Sequence, residues 1–151
     1  MKTLARPGDR AAILERLARV TPGSHRRWGR MSAHQMVCHL GDGFRMALGA
    51  RAVRPAAGRL AGLALKGVAL YLPVRWPPGI RTMPELDQVV GGTCPGEFGR
   101  DLADVIAMVE SLAVDGGPAC AAHPVFGAMS RRQWLRWGYL HIDHHLRQFG
   151  L

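Results

Sequence analysis

The sequence predicts an all-α fold, a bundle of four main helices with short extra ones. Three observations predict it. Apolar residues recur at helical spacing in several segments, two Ser-x-x-Gln capping boxes begin at Ser32 and Ser130, and alternating strand patterns are nearly absent. The 151 residues are 48% hydrophobic and 21% charged, which suits one domain over 1–151 with one core and excludes a disordered chain.

Asp9 is the expected cap of a first helix over about 9–20, with Ile13, Leu14, Leu17 and Val20 on its apolar face. Thr21, Pro22, Gly23 and Ser24 end it, and a short basic segment follows around Trp28. Ser32 and Gln35 open a second helix that ends near Gly49, with Val37, Leu40, Phe44 and Ala47 inward. An Ala-, Leu- and Gly-rich run over 59–71 reads as a third helix. Residues 72–94 hold Pro73, Pro77, Pro78, Pro84, Gly91 and Gly92, too many breakers for a long helix. This stretch reads as an ordered Pro/Gly-rich loop over the bundle, a candidate cover for a cleft. Residues 97–114 keep the helical period through Phe98, Leu102, Val105, Ile106, Val109 and Leu112, and 115–118 stop it. Ser130 and Gln133 open the last helix, which runs almost to residue 151.

The net charge of +9 comes from 20 basic residues, of which only Lys2 and Lys66 are lysine, against 11 acidic ones. A basic surface admits nucleic acid, anionic lipid or acidic substrates. The densest clusters are Arg26, Arg27 and Arg30, and Arg131, Arg132 and Arg136. No run reaches the length of a nucleic-acid tail, so nucleic acid is not the expected main partner. The three cysteines, Cys38, Cys94 and Cys120, form no CxxC, and their odd number argues against a disulfide framework. No apolar h-region stands near Met1, and the most apolar stretch, 60–74, is too short for a bilayer span. The expected location is cytoplasmic, with no membrane partner.

Seven histidines carry the chemistry: His25, His34, His39, His123, His141, His144 and His145. His141 and His145 lie at i,i+4, about 40° apart on a helix, and can chelate one divalent metal. Trp134, Gly138 and Gln148 share their stripe, and Gln148 could bond a ligand, a water or an imidazole. A third ligand must come from another helix. The second helix offers His39 on one edge and His34 with Cys38 on the other, and periodicity does not choose between them. Surface or core histidines bonded to carbonyls are the competing reading. His144 reads as solvated or as a neighbour of the site, and His123 as part of a helix-entry loop or as a residue beside the site. Cys38 reads as a small buried hydrophobe rather than a nucleophile, and Trp134 and Trp137 as core. Asp42 could orient an imidazole, but pairing with Arg45 or facing water is the favoured expectation. Asp143 points away from the His141/His145 stripe and is not expected to act as a catalyst.

Residues 28–42, from Trp28 through the capping box to His39-Leu40 and Asp42, resemble the second-helix motif of the DinB/YfiT-like superfamily. Residues 123–127 and 139–150 resemble an uncharacterised branch of that superfamily. The resemblance implies a four-helix bundle, often dimeric, with nickel or zinc held by three histidines. Carried over, the ligands are His39, His141 and His145, which selects His39 over His34. It also implies thiol-dependent chemistry with a low-molecular-weight thiol. Two enzyme readings follow, a metal-dependent thiol S-transferase and a metal-assisted hydrolase, each with a small-molecule substrate. A non-catalytic metal- or ligand-binding protein, or a basic nucleic-acid-binding one, is the alternative, and the residues alone do not decide whether the chain is an enzyme.

Overall fold

The computed structural model describes residues 1–56, 59–114 and 120–151. Among the described residues the chain forms five α-helices and one 3₁₀ turn, with no β-strand beyond an isolated His123–Gly127 bridge. The helices are α1 (Pro7–Ala18), α2 (Ala33–Ala47), α3 (Arg59–Tyr71), α4 (Phe98–Ala113) and α5 (Arg131–Gln148). The 3₁₀ turn is Pro84–Leu86, inside the Pro/Gly-rich loop.

Both predicted capping boxes are formed. Ser32 and Ser130 each accept from the backbone N–H three residues on, and the Gln35 and Gln133 side chains accept in return from the Ser32 and Ser130 N–H groups. They fix the starts, and so the rotational phase, of the two helices that carry the histidine pattern. The expected start of α1 needs correction. Arg6 stands at the cap and Pro7 opens the helix, while Asp9 sits in the first turn and accepts from the Thr3 N–H at 3.1 Å. Proline suits that place because its fixed φ is helical and its missing N–H would have had no partner there. The helix also ends earlier, at Ala18. The stop expected over 115–118 lies outside the described residues.

α2 occupies the centre, packed on α4 and on α5, while α1 and α3 each lie against α5. This explains why α2 is buried around most of its circumference, with Val37, Leu40, Phe44 and Ala47 all at 0% exposure. Its approach to α5 depends on a missing side chain. A Cβ on Gly138 would lie 2.8 Å from Leu4 Cδ1 and 3.2 Å from Phe44 Cε1. Among the described residues no helix is long and apolar enough to cross a membrane.

Candidate metal centre

His39 on α2 and His141 with His145 on α5 meet in the interior between the two helices. All three are buried, and their ligand-capable nitrogens lie within 4.8 Å of one another. The i,i+4 pair does what its spacing predicts, with ring centroids 4.9 Å apart. Gly43, one turn after His39, makes the room: a Cβ there would come within 3.0 Å of His141 Cε1 and 3.3 Å of His141 Nδ1. Trp137, a turn before His141, packs its ring against that imidazole at 4.6 Å and fixes its other side.

Hydrogen bonds determine which nitrogen of each ring is free. Nδ1 of His39 lies 2.9 Å from the carbonyl oxygen of Leu86, which can only accept, so Nδ1 carries the proton and Nε2 has a lone pair. Gln148 does the same for His145. Its Nε2 donates to the Trp28 carbonyl at 3.0 Å, which turns its Oε1 towards His145 Nδ1 at 2.8 Å. Metal-binding imidazoles are oriented in this way by an acceptor on the far nitrogen. Nε2 of His39 and Nε2 of His141 are 3.1 Å apart. Two nitrogens bound to one zinc at ordinary tetrahedral geometry are about 3.3 Å apart. Nδ1 of His141 is buried with no hydrogen-bond partner, so that ring has no comparable lock. Burial lowers the pKa of all three imidazoles; at His141 and His145 burial, with neighbouring histidines adding to it, holds it well below the usual histidine range. The rings stay neutral, as ligands must be. The group could therefore hold a metal ion.

The Pro/Gly-rich loop covers this centre, as its position suggested. Trp76 lies 6.4 Å from His141 and 6.0 Å from His144, its indole N–H bonded to the Ala69 carbonyl at 2.9 Å. The loop is stitched down by Asp42, which is fully buried. Asp42 accepts from Thr93 N–H at 2.7 Å, Thr93 Oγ1 at 2.6 Å and Gln88 Nε2 at 3.0 Å, and pairs with Arg45 at 3.2 Å and Arg51 at 3.0 Å. The expected Arg45 pair is present, but Asp42 does not face water; it anchors the loop that brings Leu86 to His39. Leu86, Trp76 and the Trp28 carbonyl were not singled out from sequence as parts of a site. Two of the three groups are backbone carbonyls, which no residue type announces.

His144 is buried between Trp28 and Trp76, with ring centroids 6.1 and 6.0 Å away, and is a neighbour of the site rather than a solvated residue. His123 holds its own loop: Nδ1 accepts from the N–H groups of Val125 and Phe126 at 3.1 and 3.2 Å, and the ring stacks on Phe126. Burial pushes its pKa down to about 4. Asp143 is paired with Arg16 at 2.7 Å and Arg147 at 2.9 Å, away from the imidazoles. Trp134 and Trp137 are core, and His25 is exposed. His34 and Cys38 face α4, where both approach Asp101. Burial, with Asp101 beside it, pushes the Cys38 thiol up to about 12, so it is no ready nucleophile.

The two arginine clusters stand at opposite ends of α5. The Arg27 N–H bonds the Gln148 carbonyl at the end of the helix, whereas Arg131, Arg132 and Arg136 lie near its start, so roughly 20 Å of helix separates them. Arg131 and Arg136 are also engaged with the carbonyls of Leu112 and Leu70. They do not make one basic face.

Comparison with curated proteins and with solved structures found no match. The family model described as the DinB superfamily matches residues 6–149. That match takes in α2, α5 and the loop between them, and it shows that the chain belongs to the DinB superfamily.

Proposed function

We propose that this protein is a metal-dependent enzyme acting on a small molecule with a low-molecular-weight thiol as co-substrate, and that His39, His141 and His145 are its metal ligands. One observation carries the reading: Leu86 and Gln148 hold the Nδ1 protons of His39 and His145, which leaves both Nε2 atoms with lone pairs, and the His39 Nε2 lies 3.1 Å from the His141 Nε2. Nickel or zinc suits three imidazole donors. Bound there, the ion would supply charge that stabilises a thiolate and polarises a carbonyl. The chain supplies neutral ligands, a tryptophan-lined cover that limits water, and an anchored loop. Thiol transfer is favoured over hydrolysis because the carboxylates nearest the ligands in sequence, Asp42 and Asp143, are committed to arginines. Neither is free to take a proton from water, whereas a thiol ionises readily once bound. The odd, widely spaced cysteines suit the cytoplasm.

The test is elemental analysis of protein purified without a histidine tag, with His39→Ala, His141→Ala and His145→Ala alongside. The expected result is that one equivalent of nickel or zinc per chain is lost in each variant but retained in His25→Ala, with thiol consumption tracking that equivalent. Full occupancy in folded His145→Ala would overturn the ligand set. Metal without any thiol-dependent turnover would leave a metal-binding protein and reject the transferase reading.

A further inference from the structure

The geometry points to a second divalent-metal site on the opposite side of α2, formed by His34, Cys38 and Asp101. His34 and Cys38 are one helical turn apart and Asp101 comes from the first turn of α4, so two packed elements contribute donors. The imidazole nitrogen, thiol sulfur and carboxylate oxygen all lie within 4.8 Å of one another. Asp101 Oδ2 is the hub. It accepts from His34 Nε2 at 2.7 Å, from the Cys38 thiol at 3.6 Å and from the Gly96 N–H at 3.0 Å.

Three features separate this cluster from a chance polar contact. Each donor is held by something outside the trio: the Gly96 N–H orients the carboxylate, the Phe98 ring packs on the His34 ring at 5.3 Å, and Cys38 is buried in the α2 wall. A small cleft opens against Cys38 and Asp101, lined also by Thr93 and Arg45, with room for about one water or ion. The donor set also balances charge. One thiolate and one carboxylate neutralise a divalent ion, and the imidazole completes a nitrogen–sulfur–oxygen set suited to zinc or cobalt, with the cleft left for a water. On binding, the Cys38 thiol loses one proton to solvent, the neutral His34 ring takes the tautomer with its proton on Nδ1 so that Nε2 presents a lone pair, and no redox change occurs.

This site is independent of the three-histidine centre, and cobalt(II) titration followed by absorption separates the two. Only a site containing Cys38 gives a thiolate-to-cobalt charge-transfer band in the near ultraviolet; three imidazoles do not. The protein is expected to take up a second equivalent of cobalt accompanied by that band. The band and that equivalent should be lost in Cys38→Ser, and weakened at least tenfold in affinity in Asp101→Asn and His34→Ala. Both should persist in His39→Ala/His145→Ala, which empties only the other centre. Circular dichroism confirms that each variant is folded. The absence of a thiolate band in the wild type, or its survival in Cys38→Ser, overturns the assignment.

Discussion

Leu86 lies 47 positions beyond His39, yet its carbonyl oxygen sits 2.9 Å from His39 Nδ1. A ring on the central helix thus takes its protonation pattern from a backbone group in the Pro/Gly-rich loop. The 3₁₀ turn Pro84–Leu86 presents that carbonyl, and Arg51 holds the turn by bonding the Glu85 and Gly91 carbonyls at 2.8 and 3.0 Å. The loop is therefore part of the candidate centre as well as its cover.

The anchor of that loop is Asp42. Asp42→Ala strands the Thr93 N–H and the Gln88 amide and leaves two arginines without their buried partner. The expected cost is about 3 kcal/mol of stability. Metal affinity should fall with it, because the Leu86 carbonyl is no longer held against His39. Urea denaturation with and without zinc measures both; an unchanged midpoint contradicts the anchoring role.

Gln148 locks His145 as Leu86 locks His39. Gln148→Leu keeps the volume and removes both the acceptor for His145 Nδ1 and the donor to Trp28. Zinc affinity is expected to drop by about 10- to 100-fold, while circular dichroism stays helical. Competition with a chelator gives the constant, and wild-type affinity in the variant would rule out the lock.

Gly43 is needed for space. In Gly43→Ala the new methyl lies 3.0 Å from His141 Cε1 and 3.3 Å from the Trp137 ring. Because helix propensity favours alanine by about 1 kcal/mol, stability should change little. Metal affinity should fall roughly tenfold as the His141 ring is displaced. A variant that loses stability but binds zinc normally would show that the helix, rather than the ring, absorbs the clash.

His123 makes the metal-free protein acid-sensitive. Burial lowers its pKa from the ordinary 6.5 to about 4, so the folded chain takes up this proton less readily than the unfolded one. The stabilisation is complete above 6.5 and is lost as pH falls through about 4, amounting to about 3 kcal/mol. In His123→Asn the side-chain oxygen still accepts from the loop N–H groups but has no proton to gain. The variant should be less stable than wild type at pH about 8, from lost stacking on Phe126, and the gap should narrow as pH falls. Parallel denaturation curves across that range would exclude this role for the ring.

The sequence by itself determined the helices and the pairing of His141 with His145. Helical period, capping boxes and breakers act within a few residues, and both capping boxes formed as written. The first turn of α1 departs from the expected cap because an acidic residue early in a helix satisfies both a cap pattern and a first-turn pattern, and Pro7 favours the latter. The other decisions belong to tertiary structure. His34 and His39 sit on the same helix with equal local credentials. Which edge faces α5 and which faces α4 follows from packing, and it puts His39 with two imidazoles and His34 with Asp101. Asp42 shows locally only its pairing with Arg45; its partners Arg51, Gln88 and Thr93 arrive from beyond its helix. Backbone carbonyls have no side-chain signature, so the acceptors at Leu86 and Trp28 emerge only when the loop and the segment before α2 are laid across the bundle.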